Sequence, residues 1–179
     1  AKARAKGLIY SLAEGDQPAL LVGLVSWART AGLSVLSIGK SSEYDFVYDP
    51  RSSTMQARGM TLSVEGFEAA WELIGETESA LRSRSQLLSL FPQRALPDLS
   101  EMGIVCNHLP ELDPDIPEFH SPVARTLEIP DIMCPKEMGG ILSGRKRIDV
   151  VNCLRRVDEQ SMEGGVYVVV ECDDEETWQ

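Results

Sequence analysis

The sequence predicts an α+β domain with an α/β-like start: a mixed β-sheet with helices packed on it. Three observations carry this. The early chain runs apolar segment, loop, helical pattern, glycine, apolar segment, which is the order of a βαβ unit and its two parallel strands. The late chain holds two strand-like runs, IDVVNCLRRV and GVYVVVE, joined by a short turn, which suggests an antiparallel pair. Parallel and antiparallel parts together make a mixed sheet. The chain is 179 residues and 43% hydrophobic, enough for one domain with its own core.

Taken in order, residues 7–11 (GLIYS) read as a short buried strand. Pro18 suits a first helical turn, with Asp16 or Gln17 as cap. Leu20, Leu21, Leu24, Trp27, Ala28 and Ala31 recur at helical spacing, and Gly32 stands where a left-handed backbone ends a helix. Residues 33–38 (LSVLSI) form the second strand, closed by Gly39-Lys40. From 41 to 63 the pattern breaks, and the polar, mixed composition predicts a loop. Residues 64–90 return to helical character around Phe67, Ala70, Trp71, Ile74 and Leu81, weakened by Gly75. Residues 106–135 are rich in proline and predict an irregular wrapping segment. The weak patterning between 41 and 147 leaves room for breaks in the chain there. Strands are then expected at 148–157 and 165–171.

The formal charge of −11 argues against nucleic-acid binding, which needs clustered positive charge. No run approaches 18 apolar residues, and no charged segment leads into an apolar one, so neither a membrane span nor a signal peptide is expected. The four cysteines are widely spaced without a CxxC pair, which predicts reduced thiols and a cytoplasmic protein.

Several places offer chemistry, each beside a structural alternative. The loop SLAEGDQPAL carries Glu14, Gly15, Asp16 and Gln17 at a helix start, on the rim where α/β sheets bind ligands. It is equally a connector in which Asp16 caps and Gly15 turns. Lys40 lies on the same rim and can meet an anion as a point charge, as many rim lysines do without function. Glu72, Glu76 and Glu78 crowd one stretch, fit for magnesium or manganese or else a solvated face. His120, one of two histidines, is a candidate acid or base. Gly139-Gly140, Lys136 and the SGRKR run at 143–147 form a basic patch without the spacing of a P-loop.

GLIYSLAEGDQPAL, the helix to Trp27-Ala28-Arg29, AGLSVLSIGK and the tail GGVYVVVECDDEE resemble the central catalytic domain of homoserine-dehydrogenase-like proteins. One member group of these is the deoxyxylulose-phosphate-reductoisomerase-like oxidoreductases. The resemblance is strongest over residues 3–40 and present over 60–81 and 149–176. It implies a substrate-binding and dimerisation domain that follows a Rossmann domain and precedes a SAF-like one. It also implies an NAD(P)-linked oxidoreductase, inactive as this piece alone, acting on a small polar hydroxy or keto compound, phosphorylated ones included. NADP or NAD would be held mainly outside this chain, with Mg or Mn in the site and a homodimer as the assembly. On this reading Lys40, Asp16 and Glu76 are catalytic, and Asp16 and Glu76 are the metal carboxylates. Tyr10, Ser11, Glu14, Gly15, Gln17 and Glu78 surround the substrate. Two positions depart from the family pattern: Glu14 replaces a tyrosine and Glu78 a lysine. The alternative is a non-catalytic binding or dimerisation module on the same fold.

Overall fold

A computed structural model describes residues 6, 7 and 15–172. The expected strand at 7–11 lies almost wholly outside the described residues, as do Tyr10, Ser11 and Glu14. Helix α1 (Gln17–Thr30) is capped by Asp16, whose carboxylate accepts from the Gln17 N–H at 2.9 Å, with Pro18 in its first turn. Gly32 follows with φ of +79°. The chain then enters β1 (Ser34–Ser41).

The stretch expected to be a loop after β1 instead holds three short strands: β2 (Phe46–Asp49), β3 (Thr54–Ala57) and β4 (Met60–Ser63). The helix expected over 64–90 is split. A 3-10 turn covers Phe67–Ala70, Gly75 takes φ of +87°, and α2 (Thr77–Leu87) starts afresh. A further helix, α3 (Leu96–His108), precedes the proline-rich segment and runs into its first residues. Two-residue strands β5 (Asp113–Pro114) and β6 (Val123–Ala124) and the single-turn helix α4 (Ile129–Ile132) follow. The chain closes with β7 (Arg147–Arg156) and β8 (Val166–Glu171).

The described strands form one mixed sheet centred on β7. β1 pairs parallel with residues 147–151 of β7, and β2 parallel with residues 154–156. β5 and β6 also run parallel to it. β7 and β8 do run in opposite senses, but they are not paired with each other. β1 lies between them, antiparallel to β8, and Gly39 is in register with both Asp149 and Tyr167. A Cβ at position 39 would lie 2.0 Å from the Asp149 carbonyl oxygen and 2.5 Å from the Tyr167 hydroxyl, so only glycine fits.

Both faces of the sheet are covered, as parallel strands require. α1 and α3 close one face with Leu21, Val25, Met102 and Val105 against Ile38, Ile148 and Val150. On the other, Leu36, Val151, Tyr167 and Val169 meet Ile132 and Met133. β2 and β3 carry a third cluster, with Phe46, Tyr48 and Met55 against Phe67, Trp71 and Phe91.

Candidate functional site

Strand alternation puts Lys40 two residues beyond Ile38, on the face that α3 covers. Its side chain is fully buried. The ammonium donates to Gln17 Oε1 at 2.6 Å and to Glu43 Oε1 at 3.0 Å, pairs with Asp98 at 3.0 Å, and bonds Glu101. The Gln17 amide donates in turn to Glu43 at 2.7 Å. Gly164 lies directly beneath, where a Cβ would come within 2.8 Å of Gln17 Nε2. Three carboxylates, Glu43, Asp98 and Glu101, therefore converge on one lysine, with oxygens within 4.8 Å of one another.

The electrostatics are unbalanced. Burial disfavours the ammonium, but bonds to Glu101, Asp98 and Glu43 outweigh it and hold Lys40 above its ordinary value. The Gln17 amide and then Lys40 hold Glu43 below the usual carboxylate range. Asp98 is buried; its Oδ1 lies 3.0 Å from the Lys40 ammonium, and its Oδ2 has no hydrogen-bond partner. A buried carboxylate left so is costly unless its surroundings use it. An all-oxygen donor set of this kind suits a hard divalent cation, and Asp98 provides the underused ligand. Lys40 occupies the centre, so a cation and the ammonium compete for the same oxygens.

The expected site residues fall into two groups. Gln17 and Lys40 meet in this cluster, with Gly15 and Asp16 at the adjoining end of α1. Asp16 serves as the helix cap. Glu76 likewise caps α2, accepting from Glu78 N at 3.0 Å and Ser79 N at 2.7 Å. Glu78 is exposed and pairs with Lys136 at 3.0 Å and Arg82 at 3.2 Å, while Glu72 pairs with Arg125. Sequence reasoning missed Glu43, Asp98 and Glu101. A signal for Asp98 was present: with Met102 and Val105 it forms the buried stripe of α3 at spacings of four and three. An acid on such a stripe calls for a buried cation.

Residues 15–179 match the protein family described as "Oxidoreductase DRL, catalytic domain". The chain belongs to this family. No curated protein matches it significantly. The mixed sheet with packed helices is the architecture of the DRL catalytic domain, as the resemblance implied. No helix among the described residues of this DRL domain is long and apolar enough to cross a membrane.

Proposed function

We propose that this DRL domain is the substrate-binding part of a cytosolic NAD(P)-linked oxidoreductase. Its substrate is a small polar hydroxy or keto compound, phosphorylated ones included. The nicotinamide cofactor is held mainly by a domain outside these residues, and the assembly is a homodimer. The observation that carries the reading is Lys40 among Gln17, Glu43, Asp98 and Glu101, at the carboxyl end of a sheet strand in an oxidoreductase family. That end of an open α/β sheet is where ligands sit.

The geometry supports the following roles. Glu43 and Glu101 are partly exposed, so a polar substrate can draw them away from Lys40 while Asp98 stays. Lys40 then donates to a substrate carbonyl oxygen, and the released carboxylates accept from substrate hydroxyls. Gln17 holds Lys40 and Glu43 in register through the exchange. Glu43, Asp98 and Glu101 would hold Mg or Mn in place of the Lys40 ammonium, and the ion would supply the polarisation of neighbouring carbonyl and hydroxyl oxygens.

A second reading, a binding module without turnover, is favoured by Glu78. It stands where the resemblance places a lysine, and it is already paired with Lys136 and Arg82. Isothermal titration of the full-length protein with NADP⁺ and NAD⁺ separates the two. Binding of one cofactor is expected. A folded protein that binds neither overturns the oxidoreductase reading in favour of the module.

A further inference from the structure

Away from Lys40, two adjoining cavities of about 590 and 350 Å³ share five lining residues: Arg82, Ser85, Arg94, His120 and Ser121. The fold devotes several buried polar groups to one short piece of this lining. Phe119 and Ser121 have φ of 57° and 49°, left-handed values that non-glycine residues seldom adopt. They hold them because Asp149, buried on β7, accepts from His120 N at 2.9 Å and Ser121 N at 3.2 Å. Asn152, three residues further along β7, donates to both the Ser121 carbonyl at 2.8 Å and the Gln93 carbonyl at 2.9 Å. It thereby ties the His120 side of the cleft to the Arg94 side.

The ring of His120 is fixed as well. Its Nε2 lies 2.8 Å from Asp115, and Asp115 is held by the Ser143 N–H at 3.0 Å, the Ser143 hydroxyl and Arg147 at 3.3 Å. Backbone strain maintained by buried acids is found where a side chain must be presented in one pose. The Ser121 hydroxyl supplies an independent sign. It is buried with no hydrogen-bond partner, in a residue that lines both cavities.

In a protein of net charge −11, the lining itself sets two arginines, Arg82 and Arg94, against one acid, Glu78. Glu118 pairs with Arg94 from outside the lining, Asp115 and Arg147 offset each other, and Asp149 is engaged by the backbone behind it. Glu78 and Glu118 are surface partners of the two arginines, and such pairs are weak enough for a ligand anion to replace.

We infer that this cleft is a second ligand site, which binds a small phosphate- or carboxylate-bearing anion through Arg82 and Arg94, with Ser121 and His120 bonding the same group. Arginine matches either anion with paired N–H donors. Glu78, which the resemblance sets around the substrate, lines the smaller cavity, but the inference does not rest on cofactor binding: a protein that fails to bind NAD(P) can still hold an anion here.

The test uses the intact chain, labelled with ¹⁵N, titrated with inorganic phosphate at fixed pH, with sodium chloride at matched ionic strength as control. With only two histidines the ring signals report directly. Saturable shifts at His120 and Ser121 but not at His108 are expected, with millimolar or tighter affinity. The double variant Arg82→Ala/Arg94→Ala should weaken binding at least about tenfold. Both side chains are largely exposed, so the spectrum elsewhere will report a preserved fold. Glu118→Gln, which frees Arg94, should tighten it. Shifts no larger than those with chloride, or binding that survives the double variant, overturn the inference.

Discussion

Arg84 and Lys40 are both fully buried cations, yet their surroundings differ in kind. Arg84, on α2, uses all its N–H groups: on the carbonyls of Ala70, Val123 and Trp71 and on both oxygens of Glu128, at 2.7 to 3.2 Å. Its single carboxylate partner, Glu128, is buried and shared with Arg125, and neutral acceptors complete the set. Lys40 faces three carboxylates, two of them open to solvent and one buried with an oxygen left unpartnered. The first arrangement is closed and locks α2 onto the sheet. The second has surplus negative charge and movable members, which is what ligand exchange needs. A buried ion is therefore read by the balance around it, not by its burial.

The largest effect tests the closed pair. Arg84→Ala removes the buried partner of Glu128, leaves Arg125 alone to compensate it, and should lower stability by about 3 kcal/mol in chemical denaturation. A loss near that of an exposed pair would mean that Arg84 is no strut. Lys40→Met should cost less, about 2 kcal/mol, because Glu43 and Glu101 are partly exposed and can turn to water. It should also remove the ammonium that competes for the three carboxylates: Mn²⁺ should raise the melting temperature of Lys40→Met more than that of the wild type. Equal shifts would show that the three carboxylates do not act together.

The pH dependence separates the pair next. Burial raises the Glu128 pKa, but Arg84 and Arg125 outweigh it, so the net value lies below the ordinary one. Its contribution is present above the ordinary carboxylate range and disappears as pH falls through the depressed value. Lys40 is raised, so its contribution is complete below the ordinary lysine value and is lost as pH climbs above it. Melting curves against pH should become shallower on the acid side in Glu128→Gln and on the alkaline side in Lys40→Met. The smallest effect sets the baseline: breaking the exposed pair Arg94–Glu118 by Glu118→Gln should change stability by no more than about 0.5 kcal/mol.

Two of the five members of the exchangeable cluster, Gln17 and Lys40, were legible in the sequence. α1, its cap, Gly32, β1, β7 and β8 follow from periodicity and turn chemistry, and they place Gln17 and Lys40. The partners of Lys40 were hidden for local reasons. α3 opens on Leu96-Pro97, and proline in a first turn looks the same as proline in a loop. With α3 unread, Asp98 and Glu101 had no position. β2, β3 and β4 have four residues each, too few for alternation to show. The β3–β4 turn is Arg58-Gly59, both at positive φ, a hairpin geometry that an Asn-Gly pair announces and Arg-Gly does not. The pairing of β8 with β1 instead of β7 is a tertiary choice, invisible in a turn sequence.

The central place of β7 also bears on how the chain is made. Ser37 pairs with Arg147 and Phe46 with Leu154, contacts that span about 110 residues. A ribosome delivers β1 and β2 long before the strand they require, and β8, the other neighbour of β1, comes later still. Until residue 156 has emerged, the apolar edges of both early strands stand open, the state in which nascent chains aggregate or engage chaperones. The sheet thus closes in the last stage of the domain's synthesis, and a transcript cut before β7 yields no partial sheet of this kind.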